Sequence, residues 1–206
     1  MPVTAQQRDV DVSQREAYAR PGVGRKYWDI RDRITLSYVR EGRILDAGCG
    51  EGITLEKLIR QFPDCQVEGL DVDPANIEIC RRHNLPVRQG SILQLPYDDN
   101  TFDTCTFMEV IEHLQQPEQA LAELARVLKP GGRLLVVFPV DWAFFLARVI
   151  CMRFKEAMFD PAHLRQWSTR TLKAAMRKVG LRVFAARSMP LPWPMKLHGL
   201  VVGEKP

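Results

Sequence analysis

Three glycines at every second position, Gly48, Gly50 and Gly52, follow a short apolar run, Ile44-Leu45-Asp46-Ala47. A buried strand that breaks into such a loop and then into a helix lets the backbone turn tightly. It also lets the backbone approach a ligand with no side chain in the way. Asp71 ends the next strand-like run, Gln66–Asp71, 21 residues beyond Gly50. An acid at that distance and at a strand end can accept hydrogen bonds from a ribose diol. The spacing is G-x-G-x-G rather than the G-x-G-x-x-G of a pyrophosphate cradle, with Asp46 before the loop and Glu51 inside it. Two carboxylates there would repel a pyrophosphate and help to hold a cationic ligand.

A second constellation is Met108-Glu109-Val110-Ile111-Glu112-His113-Leu114. If Glu109 opens a helical turn, then Glu109, Glu112 and His113 share one face. Two carboxylates and an imidazole so arranged could ligate a divalent cation, with His163 as the fourth ligand. Without a metal, His113 or His163 could act as general base. His83 and His198 read as structural.

The elements that must position these residues alternate. An amphipathic helix is expected over Tyr27–Val39, with Tyr27, Ile30, Ile34 and Tyr38 about one turn apart. Strands are expected at 43–47, 66–71, 86–89, 104–108, 133–138, 181–186 and 197–202. Helices are expected at 53–61, from Pro74, from Pro117 to Leu128, and from the Ser168 cap to Val179 before Gly180. This order predicts an α/β fold: a doubly wound, mainly parallel seven-stranded sheet with helices on both faces. Ligands of such sheets bind at the carboxyl ends of the strands, where both constellations fall. Residues 1–22 read as a loose tail and 23–206 as one domain, with a cap insert at about 141–167.

Composition narrows the function classes. The 206 residues are 46% hydrophobic and 26% charged, which excludes whole-chain disorder. The most apolar stretch, Leu134 to Phe154, is broken by Pro139, Asp141, Arg148 and Arg153, against a membrane span. The opening residues lack an apolar signal core, and the five widely spaced cysteines include no CxxC pair. Both point to reduced thiols in the cytoplasm. From Trp142 onward, 12 Lys or Arg face 3 Asp or Glu, whereas the preceding residues carry 17 against 22. A solvated helix face accounts for such a basic end, as does one face meeting something anionic.

Taken together, Asp46-Ala47-Gly48-Cys49-Gly50-Glu51-Gly52, Val67-Glu68-Gly69-Leu70-Asp71, Gly90-Ser91-Ile92 and Arg126-Val127-Leu128-Lys129-Pro130-Gly131-Gly132 resemble the class I S-adenosylmethionine-dependent methyltransferases over residues 25–187. The resemblance leans toward the small-molecule branch that includes quinone-biosynthesis O-methyltransferases. It implies S-adenosyl-L-methionine as cofactor, held by Asp46, Gly48, Cys49, Gly50, Asp71, Val72, Ser91, Ile92, Met108 and Glu109. Many relatives carry Asp where this chain has Ser91, whose hydroxyl accepts a weaker hydrogen bond than an ion does. Arg31 or Arg33 would meet the cofactor carboxylate.

The Glu-x-x-Glu-His run is similar to that of quinone O-methyltransferases and small-RNA 3′-terminal 2′-O-methyltransferases that use a metal, but it also occurs in metal-free relatives. A divalent cation is therefore an option rather than an expectation. The apolar and basic segment Trp142–Phe159 would suit a hydrophobic or lipid-linked substrate, or shallow membrane contact. The implied function is methylation of an oxygen or nitrogen of a small molecule, with no nucleic-acid partner and an open oligomeric state. The alternatives are a metal-assisted RNA 2′-O-methyltransferase, a nicotinamide-dependent oxidoreductase and a non-catalytic cofactor-binding module.

Overall fold

The computed structural model describes residues 13–19, 21–140, 164–190 and 196–206. In chain order the elements are α1 (Gln14–Ala19), α2 (Val23–Leu36), β1 (Arg43–Ala47), α3 (Ile53–Gln61), β2 (Gln66–Asp71), α4 (Pro74–Arg82), β3 (Val87–Gln89), β4 (Phe102–Met108), a single 3-10 turn (Ile111–His113), α5 (Pro117–Val127), β5 (Leu128–Pro139), α6 (Thr169–Lys178), β6 (Arg182–Pro190) and β7 (Lys196–Glu204). The seven strands form one sheet in the order β3-β2-β1-β4-β5-β7-β6. The first five are parallel, and β7 runs antiparallel to both its neighbours, β5 and β6.

Strand alternation builds the two cores. Leu134, Val136 and Phe138 of β5 face a layer holding Leu121 and Leu124 of α5 and Leu172 and Met176 of α6. Leu135 and Val137 face the other way, toward Ile34 and Tyr38 of the α2 region, while Ile44 meets Leu36 and Leu58. A side-chain period of two therefore serves helices on both faces of the sheet.

The helix ends carry local signals. Asp73 caps α4 by accepting from the Ala75 N–H at 2.9 Å, with Pro74 in the first turn. Ser168 and Thr171 form a reciprocal capping box on α6.

Element ends differ from the expected ones where tertiary pairing lengthens a strand. β5 begins at Leu128 instead of Arg133, because Phe102 pairs with Leu128 across a register break and Gly131 N–H donates to Lys205 O at 2.7 Å. β6 and β7 reach Pro190 and Glu204 because each is the other's partner. Part of the stretch expected to be a loose tail, Gln14–Ala19, is helical. Among the described residues no helix is long and apolar enough to cross a membrane. Most of the expected cap insert, residues 141–163, lies outside the described residues, and with it His163 and the Trp142–Phe159 segment.

Candidate functional site

A cavity of about 820 Å³ opens at the carboxyl ends of β1, β2 and β4. Its walls take in Asp46, Gly48, Cys49, Gly50, Asp71, Val72, Ser91, Ile92, Met108 and Glu109, all ten residues expected at a cofactor. His113 and Arg31 join them, whereas Arg33 is exposed on α2.

The glycine loop is tied to the strand beside it. Gly48 N–H and Cys49 N–H both donate to Leu70 O, at 2.7 and 3.0 Å. Gly48 has φ 71°, and a Cβ there would stand 2.6 Å from Val110 Cγ2. Only glycine fits both the left-handed backbone and that approach. Asp71, buried at the end of β2, accepts from Gly50 N–H at 2.8 Å through Oδ2. Its Oδ1 accepts from Asp73 N–H at 2.9 Å and Asn76 Nδ2 at 3.2 Å. Oδ1 is thereby filled, whereas Oδ2 keeps a further lone pair for a ligand hydroxyl.

Asp46 is fully enclosed at the end of β1, opposite Thr106 in the β4 register. Thr106 Oγ1 donates to its Oδ1 at 2.6 Å, while Oδ2 is buried with no hydrogen-bond partner among the described residues. Burial pushes the Asp46 carboxyl up to about 7; Asp32 and Asp71 push the same way, against the Thr106 hydrogen bond. A buried carboxylate in the wall of a cavity can serve a donor or a cation.

Glu51 behaves differently from the sequence expectation. Its carboxylate does not join the cavity wall as a second acid. It turns outward and accepts from Ser13 Oγ at 2.6 Å, Gln14 N–H at 3.1 Å and Arg15 N–H at 2.9 Å.

The second constellation is also rearranged. Glu109 does not open a helical turn: it has φ 56°, precedes the 3-10 turn, and donates its N–H to Val137 O at 2.9 Å. Its carboxylate is claimed by Arg31 Nη1 at 2.5 Å and by His198 Nε2. Burial alone would raise the Glu109 carboxyl, but Arg31 and the His198 imidazole outweigh it and hold it well below the usual carboxylate range. Glu112 is buried beneath the turn, where its carbonyl accepts from Leu164 N–H at 2.9 Å and Arg165 N–H at 3.3 Å. His113 Nε2 stands 4.0 Å from Glu112 Oε1. The three therefore do not lie on one helical face, although Glu109 and His113 both reach the cavity wall. Among the described residues no three His, Cys, Asp or Glu gather as metal ligands would.

The sequence marks His198 as structural; it lies buried outside the cavity wall and pairs with Glu109, which is part of that wall. It stacks on Tyr27, with ring centroids 5.5 Å apart, and its Nδ1 meets the Tyr27 hydroxyl while Nε2 meets Glu109. No local motif could have announced this, because only the antiparallel entry of β7 brings residue 198 opposite Pro139. Arg31 is buried, paired to Asp32 at 2.7 Å as well as to Glu109. Ser91 Oγ accepts from Leu93 N–H at 3.2 Å, and Ile92, buried, lines the same cavity.

Comparison with known proteins gives the following. A family model described as a methyltransferase domain matches residues 45–136. A ubiquinone biosynthesis O-methyltransferase of Xanthomonas euvesicatoria is 32% identical over 206 residues, covering 90% of this chain and 80% of that protein. An uncharacterized methyltransferase of Schizosaccharomyces pombe is 39% identical over 111 residues, covering 47% of this chain and 40% of its own length. Coverage of two further relatives, from Streptomyces fradiae and Mycolicibacterium smegmatis, is 30% and 63% of their lengths, so the chain matches less than two thirds of these three proteins.

Among solved structures, a protein from Pyrococcus horikoshii superposes with a TM-score of 0.70 at 19% identity, over 91% of this chain and 93% of the other. An S-adenosylmethionine-dependent methyltransferase from Methanosarcina mazei gives 0.65 at 20% identity, over 84% and 96%.

Proposed function

Because the chain belongs to the class I S-adenosylmethionine-dependent methyltransferase family, we propose that it transfers a methyl group from that cofactor to an oxygen or nitrogen of a small, hydrophobic acceptor. The observation that carries this reading is a single one. Asp46, the glycine loop, Asp71 and the apolar Ile92 wall line one cavity, whose volume of about 820 Å³ suits a ligand of that size.

The residues fit the cofactor's chemistry in turn. Asp71 would accept from a ribose hydroxyl through the remaining lone pair of Oδ2. Ile92 and Ser91 would flank the adenine. The buried Oδ2 of Asp46 would face the positively charged end, and Arg31 the carboxylate. When bound, the cofactor supplies an electrophilic methyl group on a sulfonium.

The chain's own part is then to align the acceptor, keep water away and take up a proton. Met108, Val110 and Leu114 offer an apolar wall beside His113. The His113 imidazole would accept the acceptor's proton as the new bond forms, which makes it the candidate catalytic residue. The name of the Xanthomonas relative favours an oxygen acceptor.

Isothermal titration calorimetry with S-adenosylmethionine, S-adenosylhomocysteine and NADH tests the cofactor. Binding of the first two and not the third is expected; the reverse would overturn the proposal. A tritiated-methyl assay over phenols, catechols and amines then identifies the acceptor class.

A further inference from the structure

Glu51 lies in the glycine loop, yet among the described residues its carboxylate and carbonyl bond to the N-terminal segment. Ser13 Oγ, Gln14 N–H and Arg15 N–H converge on its carboxylate, and Arg15 Nε donates to its carbonyl oxygen at 2.7 Å. The same guanidinium reaches Gly52 O at 3.3 Å and Glu56 Oε2 at 2.9 Å. These contacts lay α1 over the cavity, where Gln14 and Tyr18 become part of its wall. Gln14 Oε1 stands 3.5 Å from where a Cβ on Gly50 would be, and Tyr18 stacks on Trp28 with centroids 5.6 Å apart.

We propose that α1 is a lid over the cofactor cavity, latched by Glu51, which is a positioning residue acting through Ser13 and Arg15. The inference rests on the cofactor reading above and deepens it. Six helical residues are too few to stand alone in water, so α1 persists only while something holds it. What holds it is chiefly polar, and polar contacts can be exchanged for water at small net cost, unlike a packed apolar face. Beyond the helix, Pro21 and Gly22 are exposed, and no described residue packs within 4 Å of a Cβ built on Gly22.

The latch and the cofactor contacts share one short loop. Gly50 N–H is fixed by Asp71, and the next residue carries the latch. A ligand seated on Gly50 therefore stiffens the anchor of its own lid, and by linkage a closed lid slows the ligand's escape. Opening breaks the Glu51 bonds and bares the cavity.

The test is ligand release from the full chain, followed by stopped-flow fluorescence of Trp28 with S-adenosylhomocysteine as the probe. Glu51→Gln alters the loop side of the latch and Arg15→Met the lid side. Both are expected to release the probe about tenfold faster, the scale of one charge-assisted hydrogen bond. Trypsin supplies a second readout, since Arg15 can be cut only when unlatched. Saturating probe is expected to slow cleavage after Arg15 about tenfold in the wild type, and less than about twofold in Glu51→Gln at equal occupancy. Release unchanged in either variant, or cleavage at Arg15 indifferent to the probe, overturns the lid. A wild-type chain that binds no probe overturns the cofactor reading as well, so the two failures are distinct.

Discussion

Gly50 N–H donates to Asp71 Oδ2 at 2.8 Å, so the acid that ends β2 braces the loop that ends β1. Asp71 thus shapes the site and faces the ligand at once. Asp71→Ala removes the anchor for three donors and the ribose contact together. S-adenosylhomocysteine affinity is expected to fall about a hundredfold by calorimetry, whereas a fall under about threefold would contradict the assignment. Asp71→Asn, which keeps the shape, is expected to lose less.

Asp46 gives a pH dependence with a definite sign. Its folded carboxyl is pushed up to about 7 from an ordinary value near 3.8, so the native state holds a proton that the unfolded chain releases. Its contribution to stability is therefore present at acid pH and lost as pH rises from about 4 through about 7. Cofactor binding runs the other way, because a cationic ligand wants the anionic form. Affinity for S-adenosylmethionine is expected to rise between about pH 5.5 and about pH 8, and Asp46→Asn is expected to flatten that rise. Calorimetry across that range decides it; identical slopes in the two proteins would refute the role.

Gly48→Ala places a methyl group 2.6 Å from Val110 Cγ2 on a backbone with φ 71°. A loss of about 2–3 kcal/mol in denaturant unfolding is expected from strain and overpacking together. Gly180→Ala is the contrast: its φ is 84° but no atom lies within 4 Å, so only the backbone penalty of about 1 kcal/mol applies.

His113→Gln tests the proton acceptor. With the acceptor found in the tritiated-methyl assay, kcat is expected to drop about a hundredfold while S-adenosylhomocysteine affinity stays within about twofold. Unchanged kcat would remove His113 from the mechanism.

Arg31→Ala tests the buried cluster. It strips Glu109 and Asp32 of a partner that is itself buried, and stability is expected to fall by about 3–5 kcal/mol in denaturant titrations. A loss below about 1 kcal/mol would mean that water replaces the guanidinium freely.

Local signals carried most of what could be read without coordinates. The apolar run Ile44–Ala47, Pro74 in a first turn, the cap at Ser168 and the glycine spacing each depend on near neighbours, and each matches the element found there. What escaped depends on distant residues. Glu51 looked like a ligand acid because its donors, Ser13 and Arg15, lie in a segment of no marked pattern. Glu109 looked helical because nothing in Met108–Leu114 reveals that Arg31 and His198 will draw it into a left-handed turn. The start of β5 was hidden for a related reason: Lys129-Pro130-Gly131-Gly132 reads as a turn, and only pairing with β4 extends it.

The reversed strand β7 has a consequence for how the protein is made. It occupies the gap between β5 and β6 although it follows both in the chain. Until residues 196–204 emerge, β5 presents a bare edge of Leu134–Phe138, β6 has nothing to pair with, and His198 is absent from Glu109. The strand therefore enters as a keystone, and a chain halted before residue 196 is left with a sticky, half-closed sheet.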